Sequence, residues 1–203
     1  MDVYQELKTW QTAIGAAFGL IALMTGALWN FHLNRRRDAH LRAEEALSVT
    51  AALYGEIILL RQEAARLAVA VTQVLVNKGT QRNPIIKFDT HFLEANTLPE
   101  PTLYKALAPK LGLLSADMVV AVTRFHASFQ AMKAGLPLLL ENKERGYSHS
   151  VLNVLLPARD VVQGVVTTLR QMERILSISI PPQDPDFGLT DTVIEMEEAS
   201  YTE

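Results

Sequence analysis

Histidine is the side chain here best suited to binding a metal ion or moving a proton near neutral pH. The sequence holds five scattered histidines: His32, His40, His91, His126 and His149. A helical metal site commonly uses two histidines four residues apart, or a Glu-x-x-His pair in a helical bundle. Neither spacing occurs, so the sequence predicts no metal site. His126 lies among Phe125 and Phe129, which favours a partly buried, hydrogen-bonded histidine over a metal ligand.

Paired carboxylates are a second source of acid-base chemistry. Glu44 adjoins Glu45, and Glu195 lies close to Glu197 and Glu198. General acid-base catalysis requires such groups to converge in a pocket, whereas the first pair is expected on a solvated helix face and the second group in an acidic tail. The chain also lacks cysteine, a Gly-rich phosphate loop and a serine in a nucleophile-elbow context. We therefore predict no catalytic residue, no cofactor and no enzymatic activity.

Charge is distributed unevenly along the 203 residues. Residues 1–34 carry one basic and two acidic side chains, residues 35–180 carry 18 basic and 13 acidic ones (net +5), and residues 181–203 carry seven acidic and no basic ones (net −7). Beyond a cluster of arginines at 35–37 and 42, the basic side chains of the middle part are dispersed among acidic ones without interleaved aromatic residues. Nucleic-acid binding is therefore not expected.

A run of 26 residues without Asp, Glu, Lys or Arg extends from Thr9 to Asn34. About 20 apolar residues suffice for a helix to cross a bilayer, so we predict a transmembrane helix over residues 12–33. Trp10 and Trp29 lie near its ends, where indole rings favour the headgroup region. A cleavable signal peptide and a buried helix of a soluble domain are less favoured alternatives, because the start is not basic and the charge-free run is long.

Residues flanking and lining this helix suggest its orientation and its contacts. A basic cluster follows it, made of Arg35, Arg36, Arg37 and Arg42. Positive charge favours the cytoplasmic side, so residues 1–11 are expected outside and the rest inside, with the arginines setting topology and near lipid headgroups. A stripe of small residues, spaced four, three and four apart, consists of Gly15, Gly19, Ala22 and Gly26. Such stripes allow transmembrane helices to associate closely.

Residues 34–180 show apolar positions that recur every three or four residues, the pattern of helices with one buried face. We predict helices at about 35–77, 102–108, 116–140 and 149–177, and an all-α fold in which an antiparallel bundle of three to four helices follows the membrane helix. The first stripe is Ala46, Thr50, Leu53, Ile57, Leu60, Ala64, Leu67, Val71 and Val74; the second is Met118, Val122, Phe125, Phe129, Met132 and Leu136; the third is Val151, Leu155, Ala158, Val162, Val165, Leu169, Met172 and Leu176.

Boundaries and connections complete this scheme. Ser115 has the residue type and place of an N-cap, and Gly79 those of a helix stop. The connection before residue 102 is expected to pack on the bundle through its apolar residues, and Tyr104 with Phe88 and Phe92 to form a candidate docking patch or simply to close the bundle. The Pro-rich, acidic segment 181–203 is predicted to be disordered.

Three stretches carry a resemblance to a known group of proteins. They are Leu98-Pro-Glu-Pro-Thr-Leu-Tyr-Lys-Ala-Leu, Leu111-Gly-Leu-Leu-Ser, and Val119 to Phe129 with Arg124-Phe125-His126. They are similar to uncharacterised bacterial proteins that have one N-terminal membrane helix and a small cytoplasmic helical domain. The resemblance implies this architecture and a bacterial inner membrane, and it implies no activity, substrate or site.

The sequence favours a membrane-anchored, non-enzymatic scaffold or adaptor, whose partners are the lipid bilayer and another protein or a second copy. An accessory subunit of a membrane complex, in transport, defence or stress, is the first alternative. An enzyme of unrecognised type is the second. It would require a deep polar pocket in the bundle lined by His126, Arg124 or Asp160, and no small-molecule substrate can be named from the sequence.

Overall fold

The computed structural model describes residues 3–78, 88–140 and 150–200, with the side chains of 3–9, 12, 13 and 78 left out. The described residues are helical and contain no strand, which confirms the all-α fold class. The expected stop at Gly79 and the residue His149 lie outside the described residues. The helices are α1 (Val3–Lys78), α2 (Thr90–Ala95), α3 (Thr102–Leu107), α4 (Ala116–Gly135), α5 (Leu152–Gln163), α6 (Val166–Leu176) and α7 (Gly188–Ser200), with 3-10 turns at Ala108–Leu113 and Leu136–Leu139.

The chain divides into two compact units, residues 1–45 and 46–203. The first unit consists of the N-terminal part of α1. Its described side chains are exposed throughout. This is the one described helix that is long and apolar enough to cross a membrane. The predicted boundary at residue 34 does not interrupt the helix, because the arginines that follow are good helix formers.

The second unit buries the three predicted apolar stripes in one core. Every member of the α1 stripe from Thr50 onward, every member of the α4 stripe, and every member of the third stripe before Leu176 is buried. Ala46 and Leu176 are half-buried. The stripes were therefore predicted correctly, because a helical face that repeats every three to four residues can be covered only by other elements.

The end of α4 lies against the start of α5. Gly135, the last residue of α4, is buried, and a Cβ placed on it would lie 2.5 Å from the carbonyl oxygen of Asn153 and 3.2 Å from Cγ2 of Val154. A 3-10 turn containing Pro137 follows. The helix predicted over 116–140 therefore ends at Gly135, five residues earlier than expected. Glycine at position 135 is what permits the close approach.

The single helix predicted over 149–177 is two helices, α5 and α6, separated at Gly164 and Val165. Glycine has low helix propensity, and the four β-branched residues after it lose side-chain freedom in a helix. Pro157 lies within α5. Ser115 occupies the N-cap position of α4 as predicted, but its side chain makes no capping hydrogen bond.

The prediction of a disordered segment from Pro181 to the C-terminus is wrong for residues 188–200, which form α7. Phe187, Thr190, Val193 and Ile194 are buried in the core of the second unit. Composition indicated disorder because the segment is acidic and Pro-rich. The four buried side chains outweigh that signal, since they give the segment an apolar face to pack.

Candidate functional site

The N-terminal part of α1 presents large apolar side chains on all sides. Trp10 and Trp29 are 70% and 68% exposed. A Cβ added at Gly15, Gly19 or Gly26 would meet nothing within 4 Å. Nine further exposed apolar side chains from the same segment are Ile14, Phe18, Leu20, Ile21, Leu23, Met24, Leu28, Phe31 and Leu33.

The basic cluster lies directly after this apolar segment on the same helix. Arg35, Arg36, Arg37 and Arg42 are all exposed. The guanidinium of Arg35 is 5.3 Å from the ring centroid of Phe31, within the range of a cation–π contact. The four arginines therefore form an exposed basic cluster at the end of the apolar segment.

In the second unit, Glu56 is a buried carboxylate that joins two helices. Its side chain lies on α1 and is 6% exposed. Oε1 accepts the backbone N–H of Leu103 at 2.7 Å, and Oε2 accepts that of Tyr104 at 2.8 Å. These amides begin α3 and have no partner within their own helix. Glu56 thus supplies the acceptors that Pro101, the N-cap residue of α3, does not.

His126 completes this cluster from α4. Its Nδ1 lies 2.8 Å from the carbonyl oxygen of Val122, which can only accept, so Nδ1 carries a proton. Its Nε2 faces Oε2 of Glu56 at 3.4 Å, and the ring stacks on Tyr104 with centroids 3.8 Å apart. His126 and Glu56 therefore form a buried histidine–carboxylate contact between α4 and α1.

These positions only partly match the sequence predictions. His126 is buried and hydrogen-bonded, as expected. Glu56 lies outside the predicted α1 stripe and is nevertheless buried, which the stripe did not predict. Its spacing gave a signal, because it lies three residues after Leu53 and four before Leu60, on the edge of the buried face.

The three aromatic residues of the predicted docking patch occupy different environments. Phe88 is buried in the core and packs edge-to-face on Phe92, with centroids 5.3 Å apart. Phe92 and Tyr104 are half-buried. One face of the Tyr104 ring stacks on His126, so Tyr104 covers the cluster of Glu56 and His126. The docking role of the three aromatic residues stays a prediction.

A second buried charge, Arg61 on α1, holds the segment before α7. It is 5% exposed. Its Nε donates to the carbonyl oxygen of Val162 at 2.6 Å and its Nη1 to Oδ1 of Asp184 at 2.7 Å. The hydrogen bond from Arg61 lowers the pKa of Asp184 below its ordinary value. Sequence reasoning did not single out this arginine, although its place between Leu60 and Ala64 was a signal.

The same network continues to α6. Arg170 donates to both carboxylate oxygens of Glu173, at 2.9 and 3.1 Å, and to Asp184 at 3.1 Å. Tyr54 donates its hydroxyl to Glu173 at 3.1 Å. Burial, followed by the hydrogen bond to Glu173, raises the pKa of Tyr54. These contacts join α1, α6 and the 184 region by charge-assisted hydrogen bonds, which are the stronger kind.

Among the cavities that described residues of the second unit form, two are lined by charged side chains. One, of about 330 Å³, is lined by Ala121, Arg124, Phe125, Ser128, Asp160, Gly164 and Val165. The other, of about 520 Å³, is lined by Gln62, Ala65, Arg66, Val69, Gln183, Asp184, Pro185 and Asp186. The sequence indicated His126, Arg124 and Asp160 as the residues that would line the polar pocket of an enzyme. Arg124 and Asp160 line the first cavity, whereas His126 contacts Glu56 elsewhere in the unit.

The carboxylate neighbours identified in the sequence are placed apart from these cavities. Glu44 and Glu45 are exposed on α1, and Oε1 of Glu44 lies 3.3 Å from Nε2 of His40. Glu195 and Glu198 are exposed on α7, and Glu198 lies 4.0 Å from Arg159. Within residues 3–78, 88–140 and 150–200, no group of three or more His, Asp or Glu side chains is arranged to hold a metal.

Comparison with known proteins adds no name to this architecture. No family model matches the chain, and no curated protein or solved structure is significantly similar to it. The class that the fold defines is an all-helical protein with one apolar N-terminal helix long enough to cross a membrane.

Proposed function

We propose that this protein is a single-pass membrane protein whose N-terminal helix anchors a helical scaffold or adaptor domain at the cytoplasmic face of a bacterial inner membrane. The observation that carries the proposal is the exposure of apolar side chains on all sides of α1 between Ile14 and Leu33. Burying a large apolar side chain contributes about 1.5–3 kcal/mol. The ten large apolar side chains from Ile14 to Leu33 are 48–74% exposed, so together they favour transfer of this segment into lipid by on the order of 10 kcal/mol.

The charge pattern supports the proposed orientation. The exposed cluster Arg35, Arg36, Arg37 and Arg42 follows the apolar segment, and clustered Arg and Lys remain in the cytoplasm. Each basic residue near an anionic leaflet contributes about 1 kcal/mol. The N-terminus is then outside and the unit that begins at residue 46 inside.

The packing of the second unit supports an interaction role. Its three apolar stripes are used internally, consistent with an antiparallel bundle that is stable while it presents its outer surface to a partner. On α7, Leu189 and Met196 are exposed among acidic side chains. A surface of this kind suits a partner that is apolar at its centre and basic at its rim.

An accessory subunit of a membrane complex is the second candidate. The observation that favours it is the uncovered stripe of Gly15, Gly19, Ala22 and Gly26, which leaves open space for a second helix. Close backbone approach across small residues drives association of helices in lipid.

Membrane insertion is tested by comparing the full chain with a version that starts at Arg35. The full chain should remain in the membrane pellet after alkaline carbonate extraction, while the shortened version should be released. Of two reporters fused after residue 200, the one that functions only in the cytoplasm should be active, and the one that functions only outside the cytoplasm should be inactive. Release of the full chain by carbonate, or a reporter active outside, would overturn the anchor or its orientation.

The two candidate functions are separated by crosslinking in cells, affinity purification and quantitative mass spectrometry on the same two versions. An adaptor recovers the same foreign protein from both. A subunit held through its membrane helix recovers a membrane protein, or itself, from the full chain alone.

A matched pair of variants sharpens this comparison. Gly19→Leu fills the small-residue stripe, whereas Ala17→Leu places the same leucine side chain on the opposite face of the helix. The faces are opposite because two residues turn a helix by about 200°. Loss of crosslinks with Gly19→Leu and their retention with Ala17→Leu would assign recognition to the stripe. Equal crosslinking of both variants would exclude the stripe and leave the adaptor domain.

A further inference from the structure

The cavity between α4 and the α5–α6 junction has an apolar floor and two charged walls. Phe125 and Val165 are each 3% exposed and form its floor. It remains open because Ala121 and Ser128 are small and Gly164 has no side chain. A Cβ at Gly164 would lie 2.6 Å from the carbonyl oxygen of Asp160.

The charges on the two walls are opposite and unpaired. Arg124 stands on α4 and Asp160 on α5, and both are exposed. Among the described side chains, neither forms an ion pair with the other or with a third group. By contrast, the buried ionic network on the same unit satisfies Arg61 with Asp184. The cavity lining therefore offers one cationic and one anionic side chain to a molecule that enters it.

We propose that this cavity binds a small zwitterion, an α-amino acid with a short apolar side chain. Arg124 can receive the carboxylate in a two-pronged hydrogen bond, as guanidinium groups do. Asp160 accepts the ammonium group, the Ser128 hydroxyl lies on the same lining, and the side chain of the ligand rests on the floor.

The paired charges exclude simpler ligands. A lone anion such as phosphate would be attracted by Arg124 but repelled by Asp160, and a lone amine would meet the reverse. Only a molecule with both charges gains at both walls. A volume of about 330 Å³ lies within the range of small-molecule sites, about 300–1,000 Å³.

The test uses the full chain in lipid nanodiscs and isothermal titration calorimetry with L-valine. Two probes each lack one charge of valine: isobutylamine has no carboxylate, and isovalerate has no ammonium group. L-valine should bind at least about tenfold more tightly than either, the factor expected for one lost hydrogen bond to a charged group.

Charge variants give the same test from the side of the protein. Arg124→Met and Asp160→Asn should each weaken valine binding about tenfold or more, and Asp160→Asn should strengthen isovalerate binding because the repulsion is removed. Arg174→Met, exposed on α6 away from the cavity, should leave binding unchanged. Melting curves followed by circular dichroism establish that all three variants fold.

The proposal is overturned by any of three results. These are that valine gives no saturable heat at millimolar concentrations, that valine and isobutylamine bind equally, or that the Arg174 variant loses as much affinity as the Arg124 variant. None of these results bears on membrane anchoring, which the carbonate extraction tests separately.

Discussion

Replacing Glu56 by glutamine should destabilise the second unit although the new side chain has almost the same shape. The carboxylate accepts the amides of Leu103 and Tyr104 with separate oxygens. Glutamine has one oxygen and one NH₂ group, so one of the two amides must face another donor. The one remaining oxygen replaces the acceptor for only one of the two amides at the start of α3.

The magnitude follows from that mismatch. A buried donor left without an acceptor costs about 1–3 kcal/mol. The contact of Nε2 of His126 with Oε2 of Glu56, at 3.4 Å, also loses its charge. We expect the free energy of unfolding to fall by about 2–3 kcal/mol, a large fraction of the total for a domain of this size.

The assay is urea denaturation of the full chain in mild detergent, followed by circular dichroism at a wavelength that reports helix. The matched control is Glu63→Gln on the same helix. The carboxylate of Glu63 pairs with Arg66 at the surface, at 2.9 Å. Exposed ion pairs contribute about 0–1 kcal/mol, so the control should change stability little.

Two results would refute this reasoning. One is a Glu56→Gln protein as stable as the Glu63→Gln control. The other is strict additivity of Glu56→Gln and His126→Leu in a double-mutant cycle, since groups that interact show coupling of about 0.5–3 kcal/mol.

Three further predictions concern packing and charge elsewhere in the unit. Gly135→Ala should lower the free energy of unfolding by about 1–3 kcal/mol through overpacking. The control Gly55→Ala, whose added Cβ meets nothing within 4 Å, should raise the free energy of unfolding by up to about 1 kcal/mol. Equal effects of the two substitutions in urea denaturation would contradict the close approach at position 135. Lys105→Met should raise the pKa of Glu100 from about 2 toward 4.5, because the hydrogen bond from that lysine is the largest cause of the lowered value; a ¹³C NMR titration measures this. The lowered pKa also means that the Glu100 contacts stabilise the folded state above pH 4.5 and cease to do so as the pH falls toward 2. Ile194→Ala should lower the free energy of unfolding by about 2–5 kcal/mol, since this side chain of α7 is fully buried. A change near zero in urea denaturation, as expected for a substitution of the exposed Met196, would mean that α7 is not packed on the core.

Periodic positions were the reliable part of the sequence. The α4 stripe from Met118 to Leu136 is buried without exception, and α3 occupies Thr102–Leu107 as predicted. An apolar residue repeated every three or four positions reports local geometry, which the chain carries in itself. The same holds for the charge-free run from Thr9 to Asn34, which forms part of one helix.

Single buried polar residues were the part that sequence could not resolve. Glu56, Arg61 and Glu173 have the residue types of a solvated face, and each is buried with a hydrogen-bond partner from a distant segment, which for Glu173 is the hydroxyl of Tyr54. Burial of a charge depends on that partner. Arg61 and Asp184 are 123 residues apart, so no local pattern announces their contact.

The sequence by itself determined the positions of α1, α3 and α4, the buried faces of the three predicted long helices, and the segment that is apolar enough for a membrane. Only the tertiary structure decided that α7 packs on the core, that Glu56 and His126 meet, and that Arg124 and Asp160 line one cavity. The physical reason is one of range. Helical periodicity is set by neighbours within four residues, whereas these three arrangements depend on side chains that only folding brings together.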